Sequence, residues 1–430
     1  MLVAFLALSA PAITIDNISD GTELRYPLAM LRGSAEGTQV KANGVSFPVV
    51  GGRYIALVEL KPGKNSVTVD GDGGAKRLNL SFKPSTNDFK VVPVWLVSKD
   101  GDGKYYTTFP NRPQLSKQKF DLMMKVLQCF TAEAMNDKGY GRKTFTFDLD
   151  ANGMTKIKDF RLGKTTSELH SMTPNDTWFY IYNQMKPVAP EATSKWVTLL
   201  STTDYDTKTR KASSHFALGG GALAAFGTGS MDFWPSTLAD LPKVLSDGTK
   251  VDPAEHFEDS GYRGTVWANV ATAYGATLHE LGHTLGLPHT ADRFCIMSRG
   301  FDQFNRRFML TEPGTTFQPN EMSYWDPHFA ARLNWNKWLQ ADKRAYTQGG
   351  GPSVSIKGNE VLFAASKGIR VIGAESDDRP AVWHSWSQAD PPKMAKWPLD
   401  WVRNRIGGSG AYRITIMDDE GNQATVEDKR

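Results

Sequence analysis

The chain has almost no cysteine: two residues, Cys129 and Cys295, in 430. That excludes a disulfide-stapled scaffold. The two thiols either pair with each other, or Cys295 simply packs within its own segment. Runs of Lys or Arg are absent. The formal charge of +4 comes from scattered residues, so nucleic-acid binding has no support. No apolar stretch is long enough to cross a bilayer, which argues against stable membrane insertion. Internal repeats and low-complexity tracts are missing too. Histidine is also scarce, 8 in all, yet three of these lie between positions 279 and 289.

Those three belong to the stretch His279-Glu-Leu-Gly-His-Thr-Leu-Gly-Leu-Pro-His289, which reads H-E-x-x-H-x-x-G-x-x-H. Residues four apart share one face of a helix, so His279 and His283 can reach one metal ion. Glu280 stands beside the first ligand, rotated off the metal axis, where it can hold and deprotonate a metal-bound water. Gly286 can end the helix in a conformation that other residues resist. The chain then turns and His289 returns as third ligand. Three neutral nitrogens and an open fourth position describe a catalytic Zn2+ site rather than a structural one. The small and apolar residues of Thr272-Ala-Tyr-Gly-Ala-Thr-Leu fit a buried helix leading into the ligands.

With these residues the chain resembles the metzincin clan of zinc peptidases. By that resemblance, Met297 in Cys295-Ile-Met-Ser is the Met-turn residue beneath the histidines. The residue after the third histidine is Thr290, and the one two places past the methionine is Arg299. The tyrosine that serves some clan members as an extra ligand is therefore absent from its usual place. The wider segment, from about residue 90 to 340, is more similar to a family of inferred zinc metallopeptidases found in fungi and bacteria. Shared features are Gln128-Cys-Phe-Thr-Ala-Glu133, Ala217-Leu-Gly-Gly-Gly221, and Ile296-Met-Ser-Arg-Gly-Phe-Asp302 followed by Asn305-Arg306.

The organisation along the chain is expected to be α+β: a metzincin-like zinc peptidase domain flanked by two β-sandwich domains. Residues 1–12 form an apolar run ending in small residues. They read as a signal peptide without its basic start, or as a buried first strand. Residues 13–86 alternate short β-rich runs with turns such as Asn43-Gly and Asp70-Gly, as in a small immunoglobulin-like sandwich. Residues 87–345 form the peptidase segment. It opens with a strand at Lys90–Val97 and an amphipathic helix from Ser116, with Ser116 as its expected N-cap. Thr144–Asp148 and Thr177–Tyr182 are expected strands, and a helix is expected from about Trp325 to Leu339. Past a Gly-rich linker, residues 352–430 read as a second sandwich.

Several weaker signals accompany the zinc motif. Asp148, Asp150 and Asn152, with Asp159 in the last position, match a calcium loop formally, but the strand-like flank Thr144–Asp148 and an Asp in place of the bidentate Glu argue for a hairpin turn instead. The segment Phe216–Gly227 lacks the Lys-Ser/Thr of a phosphate loop. It is either a glycine loop or, by resemblance to the clan, the edge strand that pairs with extended substrate. Arg299, Arg306, Arg307 and Tyr324 are polar candidates for stabilising an oxyanion, although a solvated or salt-bridged surface role is the better reading for each. The expected function is hydrolysis of peptide bonds in a protein or peptide substrate, secreted or in the periplasm or at the cell surface. The alternatives are a silent exported binding protein and an amidase acting on cell-wall peptides.

Overall fold

The computed structural model describes residues 13–109, 111–347 and 349–429. The apolar run 1–12 lies outside the described residues, and so does the export signal expected there.

Residues 23–82 form a seven-stranded sheet. Its strands lie in the order 23–24, 74–82, 63–71, 39–42, 45–50, 53–59, 28–34. Strand Val45–Val50 pairs through its first four residues with Gln39–Ala42 and through its last two with Arg53–Glu59. It thus carries the sheet over onto itself, and the alternating apolar residues Val67, Val69, Leu78, Leu80 and Phe82 turn inward. That interior does not close on its own. One apolar core runs from Ile13 through the long helix Ser116–Asp137 to Leu339. Polar contacts cross the same boundary. The Glu133 carboxylate accepts hydrogen bonds from Tyr26 Oη at 3.1 Å, Arg142 Nε at 2.6 Å and Asn17 Nδ2 at 3.4 Å.

A five-stranded sheet is built from residues between Lys90 and Gly227. The strands lie in the order Ala217–Gly220, Leu223–Gly227, Ser194–Leu200, Lys90–Val97, Lys158–Arg161. All neighbours are parallel except the first pair, so Ala217–Gly220 is an antiparallel outer strand. The helix Val266–Thr284 packs against this edge of the sheet on one side and against Arg299–Arg307 on the other. It is buried nearly all round, and glycines permit the close contacts. A Cβ at Gly219 would collide with the Glu280 backbone, and one at Gly275 with the Phe301 carbonyl.

The C-terminal residues form two antiparallel sheets, 353–357/360–364/394–398 and 379–385/369–376/411–418/423–429. Their core is separate, built from residues such as Phe363, Ile372, Val402 and Ile414.

Three expected elements differ. Thr177–Tyr182 lies inside the helix Pro174–Met185, not in a strand. Thr173 accepts from the Asp176 amide, Pro174 occupies the first turn, and Thr177, Ile181 and Met185 are buried at four-residue spacing. The helical period was present under a β-favouring composition. Ser116 is the first helical residue rather than the cap; Leu115 holds that position and makes no side-chain capping bond. Thr144–Asp148 belongs to no ladder, although the Thr146 carbonyl accepts from the Val91 amide at 2.7 Å. A helix does form near the expected Trp325–Leu339, over Pro327–Trp335.

Candidate metal centre

The metal helix ends in a Schellman turn. The Gly286 amide donates to His283 O at 3.0 Å and the Leu287 amide to Gly282 O at 3.1 Å. Gly286 takes φ +85°, the left-handed conformation that glycine adopts without a Cβ penalty. This turn brings the chain back over the helix end and delivers His289 to the two helical histidines.

The result is a cluster of three imidazoles. His279 Nε2 lies 3.0 Å from His283 Nε2 and 3.2 Å from His289 Nε2. Tetrahedral ligands with Zn–N bonds of 2.0–2.1 Å stand about 3.3 Å apart, so the spacing fits such an ion. Among the described residues this is the one group of three or more His, Cys, Asp or Glu that could hold a metal. Hydrogen bonds fix the tautomers. His279 Nδ1–H donates to Ile296 O at 2.7 Å, and His283 Nδ1–H donates to Leu287 O at 2.8 Å. Both Nε2 lone pairs are then left to face the shared centre. Burial pushes the His279 imidazole down to about 3 and His283 to about 4, so both are neutral at ordinary pH, as metal ligands must be.

Glu280 is buried beside this cluster. Burial pushes its carboxyl up to about 8. A cation held by the neighbouring imidazoles acts in the opposite direction. The Glu280 backbone packs closely against Gly219 of the outer strand. Met297 lies fully buried under the helix, its sulfur against Gly282, which stands between His279 and His283. Cys295 is a free buried thiol whose Sγ accepts from the amides of Met297 and Asp326, at 3.4 and 3.3 Å, and Cys129 is likewise free.

The other candidates lie elsewhere or are already engaged. Arg306 pairs with Glu312 at 2.8 Å, and Arg307 with Asp137. Tyr324 Oη donates to Asp292. Arg299 pairs with Asp302, but its charge still helps to keep the His279 imidazole neutral. In the acidic loop, Asp148 faces Lys90 at 3.4 Å, Asp159 pairs with Lys117, and Asp150 Oδ1 accepts from the amides of Asn152 and Met154. The carboxylates thus diverge rather than converge. One residue near the site carried no sequence signal. Asp377 Oδ2 lies 3.9 Å from His289 Nδ1, delivered by a turn far along the chain.

A family model described as "Putative peptidase family" matches residues 12–370. The chain belongs to that family. Relatives from fungi agree in name. It is 29% identical over 340 residues to a Schizosaccharomyces pombe protein named "Putative zinc metalloproteinase", covering 70% of this chain and 54% of the relative. A Saccharomyces cerevisiae protein with the same descriptive name is 25% identical over 338 residues, covering 68% of this chain and 47% of the relative. The chain therefore spans about half the length of these curated relatives. Among solved structures it is similar to wild-type OgpA from Akkermansia muciniphila, at 15% identity and TM-score 0.49, over 80% of this chain and 93% of that one.

Proposed function

We propose that this protein is a zinc-dependent endopeptidase, with His279, His283 and His289 as metal ligands and Glu280 as general base. The observation that carries this reading is the convergence of three Nε2 atoms at 3.0–3.2 Å beside a buried glutamate. Family membership and the names of the fungal relatives support it. When bound, Zn2+ supplies the Lewis acidity that polarises a peptide carbonyl and acidifies a water. The chain's own residues do the rest. Glu280 takes a proton from the attacking water and passes it to the leaving amine. The free edge of Ala217–Gly220 offers main-chain hydrogen bonds to an extended peptide lying over Glu280. Met297 supports the ligands from below and touches no reacting atom.

Residues 13–86 and 352–430 are read as β-sandwich modules that flank the peptidase segment 87–345. The shared core on one side, and the hydrogen bonds from Arg332 to Glu375 and Gln423 on the other, support a structural role for both. The apolar residues 1–12 support export, to a secreted or cell-surface location. Among the described residues no helix is long and apolar enough to cross a membrane.

The test is Glu280→Gln in metal-loaded protein, assayed on a peptide library. Zinc should stay at one per chain while turnover falls by orders of magnitude, because one group serves as base and then as acid. Near-wild-type cleavage by the variant would reject the mechanism. Absence of zinc from wild type, with no change in metal content or melting in His283→Ala, would reject the metal site.

A further inference from the structure

Two of the three imidazoles are oriented by carbonyls of their own neighbourhood, those of Ile296 and Leu287. His289 differs. Its side chain is half-exposed, and its Nδ1 points towards the carboxylate of Asp377, 3.9 Å away. Asp377 follows the strand Ile369–Ser376, in the turn before Arg379–Ser385, on the four-stranded C-terminal sheet. It lies beyond residue 370, where the family match ends. We propose that Asp377 is the positioning carboxylate of the third zinc ligand, so that the C-terminal sheet completes the metal centre. This rests on the zinc reading above.

The turn is held for that task. Arg332, 3% exposed, donates from Nη1 to both oxygens of Glu375 at 3.0 Å. Its Nη2 donates to the Gly286 carbonyl at 2.5 Å and to Gln423 Oε1 at 2.6 Å. One buried guanidinium thus ties the Schellman turn of the metal helix to the residue two places before Asp377. Arg413 on the neighbouring strand binds the other Asp377 oxygen, Oδ1, and leaves Oδ2 facing the histidine. The gap exceeds a direct hydrogen bond. A side-chain rotation of the half-exposed Asp377, or one bridging water, closes it. A carboxylate accepting from Nδ1–H fixes the tautomer with Nε2 free, orients the ring, and raises its basicity towards a cation.

The test measures zinc affinity directly, by competition with a chromogenic chelator. Wild type, Asp377→Ala and Asp377→Glu are compared, with Asp378→Asn as the control in the same turn. Loss of an outer carboxylate of this kind weakens metal binding roughly 10-fold or more. We expect that loss in Asp377→Ala, its recovery in Asp377→Glu, and none in Asp378→Asn. The zinc-free proteins should melt alike, since Asp377 is half-exposed and its pair with Arg413 lies at the surface. Wild-type zinc affinity in Asp377→Ala, alongside loss of zinc in His289→Ala, would overturn the proposal and leave the zinc reading standing. Failure of wild type itself to bind zinc would overturn both. Equal weakening by Asp378→Asn would also overturn it, because the effect would then belong to the turn as a whole.

Discussion

The sulfur of Met297 lies against Gly282, in space that any Cβ at that position would claim. Gly282 sits one residue before the second ligand, so the methionine's support and the helix register depend on each other. Gly282→Ala should overpack the site and cost roughly 1–3 kcal/mol. Met297→Ala should leave a cavity and cost roughly 2–5 kcal/mol, and Met297→Leu less than about 1.5 kcal/mol. The decisive measurement is the double variant. Ala at both positions should be more stable than the sum of the single losses allows, because the new methyl occupies part of the cavity. Strict additivity in chemical denaturation would mean that the two side chains do not share that space.

Arg332 is the second point of dependence. It is buried with Glu375, both 3% exposed, and it also holds the Gly286 carbonyl. Arg332→Ala leaves a carboxylate buried without its partner, which costs roughly 3–5 kcal/mol. Arg332→Lys should recover little of this, because a single ammonium cannot reproduce the fork that serves Glu375, Gly286 and Gln423 at once. Thermal melts of zinc-free protein would decide. A lysine variant as stable as wild type would contradict the account.

His328 makes stability depend on pH. It is fully buried, stacked on Trp383, and faces Glu375 at 3.3 Å with Arg332 nearby. Burial, opposed by Glu375 and aided by Arg332, pushes its imidazole down to about 4 in the fold. The unfolded chain takes up that proton near 6.5, so stability is present above this value and is lost as pH falls towards 4. The loss approaches about 3 kcal/mol. Against the pull of burial, Arg332 and His328 hold the Glu375 carboxyl low, so its own contribution is lost in a lower window. His328→Phe should flatten the stability curve between pH 6.5 and 5. An unchanged slope would show that His328 does not titrate with unfolding.

The N-terminal sheet is expected to be required for folding. Its removal would strip Tyr26 and Asn17 from Glu133, whose side chain is 1% exposed, and would open an apolar core that runs from Ile13 to Leu339. A chain starting at residue 87 should aggregate or bind a hydrophobic dye. A monomeric fragment with a sharp cooperative melt would refute this.

The spacing of His279, His283, Gly286 and His289 was enough to bring three imidazoles together from the sequence alone, because helical period and one left-handed glycine are local properties. Alternation and turn residues marked both β-rich ends for the same reason. The helix at Pro174–Met185 was legible too, through its Thr-Pro start, but its aromatic composition favoured a strand. What only the tertiary structure decided is which distant groups meet. Arg306, Arg307 and Tyr324 stand close to the ligands in sequence, yet their charges and hydroxyl are engaged by Glu312, Asp137 and Asp292. Asp377 is far away in sequence and lies beside His289. Ion pairing is set by which elements pack together. No local pattern encodes that a turn of the last sheet will be fastened, through Arg332, to the end of the metal helix.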